Sequence, residues 1–121
     1  MVNPIKAIAI FFSVLLVACT GHYEASEFDL DRLNETVPRM FEQVLVEGNV
    51  EAQWWPPVVV ALNPSEVRMD AKGIYIVLDS FISQESGLFV AAKGFQPNTA
   101  EGASASYRLL GENIYSYHFK A

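Results

Sequence analysis

Few residues of this chain carry side chains able to do chemistry at neutral pH. There is one cysteine, Cys19, and there are two histidines, His22 and His118, far apart in sequence. Neither histidine has a companion at a relay or ligating spacing: His-x-x-x-His, a cysteine pair and a calcium-loop pattern of acids are all missing. Asp79, Ser80, Ser83, Glu85 and Ser86 bunch in one stretch, but a turn calls for the same hydroxyls and carboxylates to satisfy its loose backbone donors. Gly-x-Ser-x-Gly and phosphate-cradling glycine patterns are absent from the sequence as well. No catalytic residue, metal site or cofactor is therefore expected, and His22 reads as a solvated residue of a tether.

Residues suited to binding are easier to find. Trp54-Trp55-Pro56-Pro57 sets two large rings before a stiff dipeptide; exposed, they would form a hot spot, and buried, a lid on the core. Burial of at least one ring is expected. Between Glu24 and Glu51 there are eight acids against Arg32 and Arg39. On a helix surface, Glu27, Asp31, Glu35 and Glu42 would give solubility, or a field that attracts a basic partner. The whole chain carries a net charge of −6, which argues against nucleic-acid binding. With 51% hydrophobic and 18% charged residues in a length of 121, it is too apolar for a disordered chain and suits one small domain.

The apolar share is swollen by one block. After Lys6, residues Ala7 to Ala18 are apolar except for Ser13. A spanning helix needs about 20 apolar residues, whereas a run of about 7–15 behind a positive charge is the hydrophobic region of a secretory signal. The end of that run, Leu16-Val17-Ala18-Cys19, resembles the lipobox of bacterial lipoproteins. The resemblance implies that residues 1–18 form a signal peptide cut before Cys19. It also implies a diacylglyceryl thioether on that cysteine and an acyl chain such as palmitate on the new N-terminus. One acyl chain holds only marginally and several together hold firmly. Thr20 stands where an aspartate would favour retention at the inner membrane, so the resemblance implies the outer membrane, facing the periplasm.

The elements that would position these residues follow from periodicity. Residues 19–26 are polar and read as the lipidated tether, and residues 27–121 as a single α+β domain. From Phe28 to Leu45 apolar residues recur at three- and four-residue steps, the face of an amphipathic helix. Ser26 with Asp29 suits its start and Gly48 its end, while Pro38 must kink it or split it into two short helices. Strand-like runs follow at 57–62, 66–70, 74–82, 88–92, 105–110 and 114–120, with Gln84 to Gly87 read as a hairpin turn. Their short connections predict a five- to six-strand antiparallel sheet with the helical segment packed on it. In the last run Ile114, Ser116, His118 and Lys120 alternate with Tyr115, Tyr117 and Phe119.

Together these features predict a lipid-anchored protein of the bacterial cell envelope, held to the membrane through Cys19 and acting as a non-enzymatic binding module. An inhibitor or immunity-type protein against a cationic hydrolase is the alternative, using the acids to meet a basic envelope or secreted protein. An envelope-acting enzyme with Asp79, Glu85 or His118 as acid or base ranks last.

Overall fold

A computed structural model describes residues 22–44, 47–99 and 105–120. The expected signal peptide at residues 1–18, the lipobox-like Leu16-Val17-Ala18-Cys19, and residues 19–21 of the expected tether lie outside the described residues.

Two short helices, α1 (Leu30–Thr36) and α2 (Met40–Gln43), are joined by a 3-10 turn over Val37–Arg39. Asp29, not Ser26, caps α1, its carboxylate accepting from the Arg32 backbone N–H at 3.1 Å. Pro38 splits the segment, since proline fits a helical first turn but not an interior. The Thr36 hydroxyl, just before that turn, donates back to the Arg32 carbonyl at 2.8 Å. Gly48 does not end α2. It has φ +107° and opens β1 (Gly48–Asn49), a two-residue edge strand.

The run at 57–62, expected as a strand, is instead helix α3 (Pro57–Ala61). Pro57 sits in the first turn, where its missing N–H costs nothing and its fixed φ suits a helix. The Val59 and Val60 N–H groups both donate to the Pro56 carbonyl. This outweighs the strand preference of three consecutive valines, because Val59 is buried in the core.

The remaining strands are β2 (Glu66–Met69), β3 (Gly73–Phe81), β4 (Gln84–Ala91), β5 (Ala105–Gly111) and β6 (Ile114–Lys120). They pair antiparallel throughout, in the order β1-β2-β3-β4-β6-β5. The architecture is α+β, with the helical segment near the N-terminus on a six-stranded antiparallel sheet. Residues Gln84 to Gly87 are not a turn. They belong to β4, and the β3–β4 connection is Ile82-Ser83 alone.

Alternation sorts the sheet into two unlike faces. One is aliphatic: Ile74, Ile76, Leu88, Val90 and Ile114 are fully buried beneath Leu33, Val37 and Met40 of the helical segment and Val59 of α3. Each such side chain contributes about 1.5–3 kcal/mol on burial. The other face is aromatic and is built from Tyr75, Phe89 and Tyr117 with Phe95, Tyr107, Tyr115 and Phe119 around them.

A bulge between Val77 and Asp79 brings the β3 backbone against β4 at Gly87. A Cβ there would fall onto the Ile76 carbonyl oxygen and stand 2.9 Å from the Leu78 nitrogen. Gly87→Ala is expected to destabilise the fold by about 1–3 kcal/mol or more, read as a lower urea midpoint. An unchanged midpoint would contradict the close approach.

Candidate functional site

The aromatic face is assembled row by row from the strand register. Arg68, Tyr75, Phe89, Tyr115 and Leu109 lie across five strands in one row, and Glu66, Val77, Gly87, Tyr117 and Tyr107 in the next. Glu85 and Phe119 begin a third. Every ring of this cluster comes from the sheet itself, save Phe95, which follows β4. The rings therefore cover one another. Phe89 meets Tyr75 at 4.7 Å, Tyr107 at 5.4 Å and Phe95 at 5.9 Å between centroids, and Tyr117 meets Phe119 at 4.7 Å. Edge-to-face and tilted pairs like these are worth about 0.5–1.5 kcal/mol each beyond their burial. Gly73 makes room, since a Cβ there would stand 2.6 Å from the Phe89 ring.

At one side of this layer, a single carboxylate gathers three strands. Arg68 on β2 donates from Nη1 to Glu85 Oε1 at 2.7 Å and from Nη2 to Oε2 at 2.5 Å. The Tyr117 hydroxyl on β6 donates to the same Oε2 at 3.0 Å. To reach β4, Arg68 passes over β3, its guanidinium carbon 5.6 Å from the centre of the Tyr75 ring. Glu66 adds a longer ion pair at 3.6 Å. The planar guanidinium suits this task, pairing in a fork at one end and lying on a ring.

The electrostatics follow from burial and from these contacts. The hydrogen bonds to Glu85 raise the Arg68 pKa further, against the opposing effect of burial. Tyr117 is held well above the usual phenol value, first by burial and then by the Glu85 charge and hydrogen bond. Tyr75 is raised as well, by burial and by its hydrogen bond with Tyr107.

The opposite face carries a polar seam beside the aliphatic core. His22 bonds Ser116 Oγ through Nδ1 and Ser106 Oγ through Nε2, both at 3.0 Å, and the Tyr23 N–H donates to Ser116 Oγ at 2.9 Å. With the proton of a neutral His22 on Nε2, Ser116 donates to Nδ1, Nε2–H donates to Ser106, and Ser106 donates to the His118 carbonyl at 3.5 Å. Ser116 is fully buried, so these partners are what make a hydroxyl tolerable there. Among the described residues no buried side-chain polar atom lacks a hydrogen bond. His22 is thus a half-buried structural residue rather than a solvated one. Burial also raises the Tyr23 phenol, with the Ser86 hydrogen bond opposing and Asp79 and Glu27 adding.

The residues singled out from sequence fall in several places. Trp55 is half-buried against the aliphatic core, with its indole N–H donating to the Val50 carbonyl at 2.9 Å, while Trp54 is 50% exposed. Glu27, Asp31, Glu35 and Glu42 are all exposed on the helical segment, away from the aromatic face. Asp79 and His118 share a register row with Ser86 between them, but Glu85 projects from the other side of the sheet. Tyr115 and Tyr117, from the alternating last strand, lie with Tyr75 and Tyr107 on one face. Sequence reasoning missed Arg68, Phe89 and the hub role of Glu85. The readable signal was the alternation of Tyr75 with Ile74 and Ile76, and of Phe89 with Leu88 and Val90.

Among the described residues no group of three or more His, Cys, Asp or Glu is placed to hold a metal ion. No helix among them is long and apolar enough to cross a membrane. Compared with family models, curated proteins and solved structures, the chain matches none.

The raised phenols set a pH dependence. A group whose folded pKa lies above its unfolded value of 10.0 contributes stability that is present below pH 10 and lost as pH rises beyond it. Unfolding free energy is expected to fall steadily above pH 10. In a 295 nm titration, Tyr23, Tyr75 and Tyr117 should ionise late and together with unfolding. Ionisation of these three near pH 10 with the fold retained would contradict this.

Proposed function

We propose that this chain is a lipid-anchored protein of the bacterial cell envelope that works by binding another protein, with the aromatic sheet face as its recognition surface. The observation that carries the binding reading is the composition and order of that face. Tyrosine, phenylalanine and arginine are the residues enriched where interfaces are strongest, and here they are fixed before any partner arrives. Arg68 is locked by Glu85, and the buried rings by one another. The rim stays accessible: Tyr107, Tyr115, Phe119 and Arg68 are half-buried, and Leu109 on the edge strand β5 is 59% exposed. Rigid aromatics lose little conformational entropy on binding. The anchor rests on the likeness of Leu16-Val17-Ala18-Cys19 to a lipobox. That likeness also supports an outer-membrane, periplasm-facing location.

A second reading has its own support. The exposure of Glu27, Asp31, Glu35 and Glu42 along the helical segment leaves an acidic outer layer suited to a cationic hydrolase or another basic protein. The two readings use different sides of the molecule, so one experiment separates them.

The detergent-solubilised full chain serves as bait in envelope extract, compared with two variants. Leu109→Ser with Tyr115→Ser should weaken a stoichiometric partner at least ~10-fold, with little dependence on salt. Reversal of Glu27, Asp31, Glu35 and Glu42 to lysine should leave it bound. Loss only in the lysine variant, with strong salt dependence, would replace the aromatic reading with the inhibitor reading. A partner indifferent to both variants would overturn both.

A further inference from the structure

The β3–β4 hairpin ends in two large apolar side chains that nothing in the fold uses. Phe81 is 71% exposed and Ile82 is 93% exposed, next to each other at the tip. Ile82 has φ +51°, a left-handed conformation in which a β-branched residue is disfavoured and glycine or asparagine is the usual occupant. At the β5–β6 turn the residue with positive φ is an asparagine, Asn113, φ +61°. The chain therefore places a bulky apolar group where turn chemistry asks for a small or polar one. Strain of this kind at an exposed tip points to a contact outside the domain.

The path of the N-terminal segment says what that contact is. His22 bonds Ser106, the second residue of β5, and Leu30 packs against Gly111, its last. The segment thus runs along β5 away from the end of the sheet where β5 begins, β6 finishes and the β3–β4 hairpin projects. His22, the first described residue, therefore sits on the hairpin side of that segment. Cys19 lies three residues before His22, so it is within about 11 Å of it at full extension. From the row of Ser86 and Ser106 to Ile82 is four residues of β-structure, about 13 Å. Both the cysteine and the hairpin tip can therefore reach one plane. Exposed Lys120, paired in register with Gln84, adds a cation beside the tip, as suits a headgroup region.

We infer that Phe81 and Ile82 form a second membrane contact, entering the headgroup and acyl boundary of the bilayer that holds acylated Cys19. This rests on the lipid-anchor reading and deepens it. A lipid anchor alone would let the domain tumble. An anchor plus an apolar tip would stand the sheet on the membrane with the β3–β4 hairpin down, leaving the aromatic and acidic faces both open sideways.

The test uses the full chain, purified from the envelope and reconstituted in phosphatidylethanolamine/phosphatidylglycerol vesicles. Ile82→Cys carries an environment-sensitive fluorophore, with Glu112→Cys, in the turn at the other end of the sheet, as reference. If Cys19 is in a thioether, the introduced thiol takes the label alone. The expected result is blue-shifted emission at position 82, quenched by lipid-borne spin labels, and unquenched aqueous emission at position 112. Aqueous emission at both positions from a chain whose mass shows acylation would overturn the tip contact and leave the anchor standing. Shielded emission at 82 that lipid-borne quenchers do not reach would overturn it in favour of a protein contact. A purified chain whose mass lacks acyl chains would overturn the tip contact and the anchor together.

Discussion

Glu85 accepts both arms of the Arg68 guanidinium and the Tyr117 phenol, and so joins β2, β4 and β6 over the top of β3. This link matters because the sheet has two apolar faces and only one helical layer. The aliphatic face is closed by α1, α2 and α3, as ordinary layered packing requires. The aromatic face has no helix or strand drawn over it among the described members of its cluster. It must be held by its own side chains, and large flat rings can do this where aliphatic ones cannot. They crowd the small residue Gly73, reach their diagonal neighbours, and contact edge to face. The charge pair fixes the side of that layer nearest β2. A half-buried Arg68 without Glu85 would be a cation lying on rings with only the longer Glu66 contact left.

The same arrangement is what supports the proposal of a recognition surface. A fully exposed aromatic face would be an aggregation hazard, and a fully covered one would be a second core. Here the central rings are buried and the outer ones half-open. The energetic cost of ordering the rim has been met in folding, which is the advantage of a preorganised surface over a flexible one. On the other side, His22 and Tyr23 stitch the start of the domain to Ser106 and Ser116, so these two residues belong to the fold although the polar composition of residues 19–26 reads as a tether.

Much of this was written in the sequence at the level of period and turn. The α+β class, the split at Pro38, and the alternation in β6 all followed from local pattern. What failed did so for physical reasons. Three valines after Pro56-Pro57 read as strand, yet proline in a helical first turn and the burial of Val59 decided for helix. Ser86-Gly87 read as a turn because glycine marks turns, whereas Gly87 is there because a bulge leaves no space for a Cβ. The true turn holds Ile82, a residue no turn rule would choose. The aromatic face was half visible, since Tyr115, Tyr117 and Phe119 fall on one side of the last strand by alternation, but Arg68 and Glu85 lie 17 positions apart and meet only through the register of β2, β3 and β4.

The claim on which the account turns is that the Arg68–Glu85 link organises the aromatic face rather than decorating it. A double-mutant cycle with Arg68→Met, Glu85→Gln and the double variant, followed by urea unfolding with near-UV circular dichroism on each, tests it most directly. The account predicts a coupling energy of at least about 1 kcal/mol and loss of aromatic dichroism in both single variants. Additivity within about 0.5 kcal/mol, with the aromatic signal intact, would contradict it.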